Sequence, residues 1–151
     1  MFSVEEAKLS DVESLIDLLT LLFSQEAEFK PDHDAQYRGL QIILEDANIG
    51  TIFILKHDQK IIGMVSLLWT ISTALGGRVA FLEDMILHPS YQGKGGGKML
   101  VEYAIAYAQE VKCKRITLLS DTDNFGAHRF YKRLGFENSL MQPMRLILTQ
   151  K

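Results

Sequence analysis

Cysteine is nearly missing from this chain: Cys113 is the only one in 151 residues. A lone thiol cannot build an internal disulfide framework and suits a reducing compartment, so a cytoplasmic protein is expected. Cys113 itself reads as a small half-buried residue at a helix end rather than as a nucleophile. A basic excess is missing too. With 16 Lys and Arg against 19 Asp and Glu, and a formal charge of −3, the chain has no electrostatic footprint for nucleic acid. No run reaches the ~20 apolar residues of a membrane helix. Met1 to Glu6 holds neither the basic nor the apolar segment of a secretory leader, so a soluble, intracellular protein with no membrane partner is expected. Repeats, low-complexity tracts and linkers rich in Pro, Gly or Ser are also absent. A length of 151 residues suits one domain with a real core and is short for two, so a single domain over 1–151 is expected. His33, His57, His88 and His128 show no metal-ligand spacing with cysteine or carboxylates, and no metal site is expected.

What the chain does have is a concentration of glycine. From Leu87 to Lys98 it reads Leu-His-Pro-Ser-Tyr-Gln-Gly-Lys-Gly-Gly-Gly-Lys, an apolar strand running through a proline into a glycine-rich loop and then a helix. Gly93, Gly95, Gly96 and Gly97 let consecutive N–H groups turn toward one centre, and a following helix adds its positive end. An anion, first of all a pyrophosphate, is the expected ligand. The nucleoside-triphosphate P-loop does not fit, because Gln92 stands where its first Gly belongs and Met99 where its Mg²⁺-binding hydroxyl belongs. The dinucleotide fingerprint does not fit either: Gly93 and Gly95 are followed by Lys98, and Gly95 and Gly97 by Leu100.

Around the loop, hydrophobic periodicity gives the order β-α-α-β-β-β-α-β-α-β. A short strand lies near Phe2–Ala7. Ser10-Asp11-Val12-Glu13 has the form of a capping box, opening a helix with Val12, Leu15, Ile16, Leu19, Leu22 and Phe23 at helical spacing. A second helix runs from about Asp34 to Ala47, after an irregular stretch from Gln25 to Tyr37. Thr51–Lys56 and Lys60–Thr70 flank His57-Asp58-Gln59 as a hairpin. A turn at Gly76-Gly77 leads to a strand over Val79–Leu87. The helix after the loop buries Leu100, Ala104, Tyr107 and Val111. Arg115–Ser120 is a parallel return strand, Asn124–Leu134 a helix capped by Asn124 and closed by Gly135, and Met144–Thr149 a last strand.

The strand before the loop holds Glu83 and Asp84 in apolar surroundings, Phe81-Leu82-Glu83-Asp84-Met85-Ile86. Buried carboxylates cost several kcal/mol unless paired or useful. Adjacent strand residues face opposite sides unless a bulge intervenes. Glu83 is the candidate general base, and Asp84 an acceptor anchor or structural partner.

Two blocks carry a resemblance. Gln92-Gly93-Lys94-Gly95-Gly96-Gly97 fits Gln/Arg-x-x-Gly-x-Gly/Ala, and Asp123 to Phe136 fits Asn-x-x-Ala-x-x-x-Tyr-x-x-x-Gly-Phe through Asn124, Ala127, Tyr131, Gly135 and Phe136. Together they resemble the GCN5-related N-acetyltransferase (GNAT) superfamily over nearly the whole chain; Gly96 stands where that family usually carries an apolar residue. The resemblance implies an α/β (α+β) fold: a central mixed, largely antiparallel sheet with a splayed parallel pair of strands at the CoA site, and flanking helices. It implies acetyl-CoA as co-substrate, with its pyrophosphate in the loop Gln92–Lys98, Lys94 and Lys98 being auxiliary. The strand Met85-Ile86-Leu87 would follow the pantetheine arm and acetyl carbonyl with the backbone of Met85 and Leu87. Asn124 and Ala127 would touch CoA, and Tyr131 would protonate the departing thiolate.

The resemblance further implies an acceptor pocket built from Phe23–Tyr37 and Trp69–Thr73. Glu26, Glu28, Asp32 and Asp34 make the first of these acidic, which favours a cationic amine. Phe81-Leu82-Glu83-Asp84 followed by an apolar triplet is similar to the polyamine and thialysine acetyltransferase branch. The expected acceptor is therefore a small primary amine held by Glu26, Glu28, Trp69 and Asp84 and attacking in a ternary complex. Aminoglycosides, amino acids and protein N-termini or lysines stay open, as does a non-catalytic acetyl-CoA sensor. Met144–Ile147 could pair across a homodimer.

Overall fold

The computed structural model describes residues 1–26 and 29–148. They fall into two compact units, Met1–Asp121 and Thr122–Lys151.

The first unit is a five-stranded sheet in the order β1-β2-β3-β4-β5, with β1 Phe2–Glu6, β2 Gly50–His57, β3 Lys60–Ser72, β4 Gly77–Leu87 and β5 Ile116–Leu118. The first four strands are antiparallel, and β5 joins β4 in parallel. The β2–β3 turn places Asp58 and Gln59 at φ +48° and +74°. Positive φ at both central residues is the twist-matching geometry of a two-residue hairpin.

Helices α1 (Val12–Gln25) and α2 (His33–Glu45) cover one face of the sheet. There Leu15, Ile16, Leu19 and Leu40 meet Ile52, Ile54, Met64 and Ile86. Helix α3 (Gly96–Glu110) covers the other face with Leu100, Val101 and Ala104 fully buried. Phe53 of β2 lies edge-on to Tyr103 and Tyr107 of α3 at 5.2 and 5.1 Å. The capping box expected at Ser10 and Glu13 does not form. A single 3-10 turn, Leu9–Asp11, takes Ser10 into its interior, and the Lys8 N–H donates to the Asp11 carboxylate at 2.8 Å instead.

The second unit is built on α4, Phe125–Arg133. Asn124 caps it, accepting from the Ala127 N–H at 3.1 Å. Gly135 at φ +103° closes it, with the Gly135 N–H donating to the Lys132 carbonyl and the Phe136 N–H to that of Tyr131, each at 3.1 Å. This is a Schellman stop, and Phe136 and Tyr131 supply its hydrophobic contact at 5.6 Å between rings. The strand expected over Met144–Thr149 is not found among the described residues: Met144–Leu148 has no regular structure, and Thr149 lies outside the described residues. Met144, Leu146 and Ile147 are 94%, 82% and 67% exposed. β-propensity does not make a strand without a neighbour to pair with and a face to bury.

Candidate functional site

Strand β4 is paired on both sides only in its first half. Ala80, Phe81 and Leu82 are matched with Ile116, Thr117 and Leu118 of β5. Beyond Leu82 no strand pairs with that edge among the described residues, because β5 is three residues long. The backbone of 83–87 therefore keeps one open edge carrying strong hydrogen-bonding groups. Met85, Ile86 and Leu87, the residues that the family resemblance sets along the pantetheine arm, lie on this edge.

The open edge runs into the loop. His88 and Pro89 start a short 3-10 turn, with His88 Nδ1 accepting from the Ser90 N–H at 3.2 Å. The Gln92 amide folds back and donates to the Leu87 carbonyl at 3.3 Å, tying the loop to the strand end. Gly93 and Gly95 then adopt φ +78° and +87°, a region that side chains with a Cβ rarely enter. Gly95 is the N-cap of α3, no side chain caps that end, and the first turn carries no acid. The first intrahelical bond there is donated by Met99, to the Gly95 carbonyl at 3.2 Å. The N–H groups of Gly96, Gly97 and Lys98 have no partner within the helix, and with the helix dipole they favour an anion. The residues present thus fit a pyrophosphate.

Gly96 is buried, and a Cβ there would come within 2.7 Å of Leu55 Cδ2 and 3.4 Å of Phe2. The α3 end packs so closely on β1 and β2 that an apolar residue would force Leu55 to move. Lys98 is exposed, and the Lys94 ammonium lies 5.9 Å from the centre of the Tyr91 ring.

Directly before the open edge, the β3–β4 register breaks. Ser66 pairs with Glu83 and Met64 with Ile86, so Asp84 and Met85 together stand opposite Val65. Asp84 takes φ +53°, a left-handed conformation that costs a residue with a Cβ roughly 1–2 kcal/mol and that clusters at functional sites. The bulge interrupts the strict alternation of faces directly after Glu83. Glu83 lies on the α1/α2 face with Met64 and Ile86. Burial, and after it the negative charges of Glu83 and Glu26, push the Asp84 carboxyl up from an ordinary 3.8 to about 6. Glu26, at the end of α1, is thereby brought close enough to Asp84 for their charges to interact. Glu28 lies outside the described residues. Trp69 is on the opposite face, stacked on Tyr107 at 6.4 Å between centroids and covered by the Arg78 guanidinium at 4.9 Å. The structure does not bring it to the carboxylates.

In the second unit, Tyr131 sits on α4 between the rings of Phe130 and Phe136, at 5.1 and 5.6 Å. Burial pushes its hydroxyl up to about 12, so it stays protonated at neutral pH. Ala127 lies on the first turn above the Asn124 cap. Sequence reading assigns no role to Ser66, although a single hydroxyl inside the apolar run Ile61–Trp69 is a visible signal. Among the described residues no three His, Cys, Asp or Glu side chains gather as a metal site, and no helix is long and apolar enough to cross a membrane.

Glucosamine 6-phosphate N-acetyltransferase of Trypanosoma brucei brucei is 30% identical over 141 residues, 92% of this chain and 90% of that protein. Spermine/spermidine N(1)-acetyltransferase of Bacillus subtilis is 42% identical over 62 residues, 40% of either chain. Two other curated relatives are longer, and the chain's matches span 53% and 26% of them. Among solved structures, an integron cassette protein from the mobile metagenome of Cole Harbour Salt Marsh superimposes with a TM-score of 0.86 at 24% identity, covering 98% of this chain and 91% of that one. The sequence profile described as Acetyltransferase (GNAT) family matches residues 12–136. With that match running from α1 through the open strand and glycine loop to the Schellman stop of α4, the chain belongs to the acetyltransferase (GNAT) family.

Proposed function

We propose that this protein transfers an acetyl group from acetyl-CoA to a primary amine of a small, cationic molecule by direct attack in a ternary complex. The observation that carries the reading is the half-paired strand β4 leading into the uncapped, glycine-lined start of α3. Acetyl-CoA supplies an acyl group already activated as a thioester. Gly93–Lys98 hold its pyrophosphate, and the open edge at Met85–Leu87 aligns its arm and offers N–H groups to the carbonyl oxygen. Glu83 takes one proton from the acceptor ammonium, and the freed nitrogen forms the bond to the acetyl carbon as the carbon–sulfur bond breaks. Tyr131 gives its proton to the departing thiolate and is reprotonated by the second proton that the nitrogen sheds as the amide forms.

The carboxylates favour one class of acceptor. Glu83 and Glu26 both act on Asp84 as like charges, and an acidic field attracts a polycation and repels a phosphate-bearing amine. The relative matched over most of its length is named for glucosamine 6-phosphate and the one matched over a segment for spermine and spermidine; the acidic cluster favours the second chemistry. The test is free-thiol release from acetyl-CoA with spermidine, glucosamine 6-phosphate, an aminoalkylphosphonate and a lysine peptide. A kcat/KM for spermidine at least tenfold above the others is expected, and a preference for a phosphorylated amine would overturn the acceptor assignment. Acetyl-CoA binding without thiol release from any amine would favour a sensor.

The exposed apolar residues Met144, Leu146 and Ile147 support a homodimer in which this segment meets a second copy. Light scattering at working concentration is expected to return twice the mass of the 17.1 kDa chain, and a monomer removes the dimer.

A further inference from the structure

Strand β3 carries a hydroxyl that no described residue satisfies. Ser66 is 0% exposed, and its Oγ has no hydrogen-bond partner among the described residues. An unpaired buried hydroxyl makes a fold less stable than an apolar side chain of the same size would, and native proteins keep such groups chiefly where they act. The neighbours of Ser66 point to the action. Its register partner is Glu83, and the adjoining pair Met64–Ile86 places both on the α1/α2 face. One residue further along β4 is the bulge at Asp84. Directly opposed residues of an antiparallel pair keep their Cβ atoms about 4.5–5.5 Å apart. A folded glutamate can bring its carboxylate onto a serine hydroxyl across that gap, and an extended one reaches solvent. Glu83 is exposed, with room to do either.

We propose that Ser66 is a positioning residue for the acetyl transfer described above, a role that rests on that reading. Its hydroxyl donates a hydrogen bond to the Glu83 carboxylate and turns that side chain in over the bulge, toward the acceptor ammonium. One proton then passes from the ammonium nitrogen to a Glu83 carboxylate oxygen, leaving the neutral amine. Ser66 keeps its own proton throughout. The charges that act on the adjoining Asp84, those of Glu83 and Glu26, are both acidic, and a hydroxyl is a neutral donor suited to a site of that sign.

The test compares wild type, Ser66→Ala, Glu83→Gln and the double variant. Ser66→Ala is expected to melt at or above the wild-type temperature, keep its KM for acetyl-CoA and lose about tenfold in kcat. In the Glu83→Gln background the same change is expected to cost nothing further, since Ser66 acts through Glu83. The carboxyl ¹³C resonance of Glu83 in the acetyl-CoA-saturated protein is expected to move when Ser66 is replaced. An equal loss of kcat in both backgrounds, a marked fall in melting temperature or an unmoved resonance each overturns the role. If wild type acetylates no amine while the resonance does move, the acetylation reading fails and the Ser66–Glu83 contact stands.

Discussion

The two halves of strand β4 differ in one respect, and their roles diverge from it. Over 78–82 the strand lies between β3 and β5, with Val79, Ala80 and Leu82 buried and backbone groups bonded on both sides, down to the Lys114 N–H donating to the Arg78 carbonyl at 2.9 Å. Over 83–87 the same strand keeps β3, loses β5, and opens with a bulge that holds a strained aspartate. A strand paired on both edges has no backbone capacity left for a ligand, whereas one paired on a single edge keeps hydrogen-bonding groups that must find another partner. A stable half and a receptive half therefore follow from where β5 stops.

Substitutions can break or sharpen that contrast. The largest effect is expected from Glu83→Gln in the receptive half: kcat lower by about 10²–10⁴, with acetyl-CoA affinity retained in a calorimetric titration. Tyr131→Phe should lower kcat in the same manner, by about 10²-fold, with the residual rate rising when a leaving group of lower pKa than CoA is used. Leu82→Ala, in the paired half, should cost about 2–5 kcal/mol of stability in a denaturant melt and leave kcat per folded molecule near wild type. A catalytic loss there as large as at Glu83 would erase the distinction between the halves.

Asp84 gives a prediction whose sign depends on pH. Its folded pKa of about 6 lies above the ordinary 3.8, so between those values the native state binds more protons than the unfolded chain. That contribution to stability is present below pH 3.8 and lost as pH rises through about 6. Asp84→Asn should therefore raise the melting temperature at pH 7.5, by on the order of 5 °C, and leave it nearly unchanged at pH 4. A shift of equal size at both pH values would contradict the buried, like-charged environment. The smallest effect is expected at the loop. Gly95→Ala meets no atom within 4 Å, so only the left-handed backbone resists it. Acetyl-CoA affinity should fall about tenfold.

Much of this was legible from the sequence, and what was not has a physical reason. Glycine at 93, 95 and 96 can be read directly because positive φ at the first two and close approach at the third leave few other residues possible, and the Asn124 cap and Gly135 stop carry equally specific signals. The GNAT fold was legible from those two blocks together. The acceptor side was harder. Two adjacent carboxylates in a strand announce a conflict, but only the register break at Ser66 and Asp84 says how it is resolved, and a bulge has no fixed sequence signature. Ser66 shows in the strand pattern only as one small polar residue in an apolar run, and such a residue is tolerated almost anywhere until its burial is known. Trp69 carried the right chemistry for a pocket, yet strand parity put it against Tyr107. The expected strand from Met144 had the composition of a strand without the pairing that would make it one, and the Ser10 capping box lost its place to a 3-10 turn.

The central claim is that the unpaired half of β4 and the start of α3 receive the acetyl donor. Residue-resolved amide hydrogen exchange with and without saturating acetyl-CoA tests it most directly. New protection is expected at Met85, Leu87 and Gly96–Lys98, with no change over Val79–Leu82. Binding that protects Val79–Leu82 or other strands while leaving the open edge and the loop unaltered would contradict it.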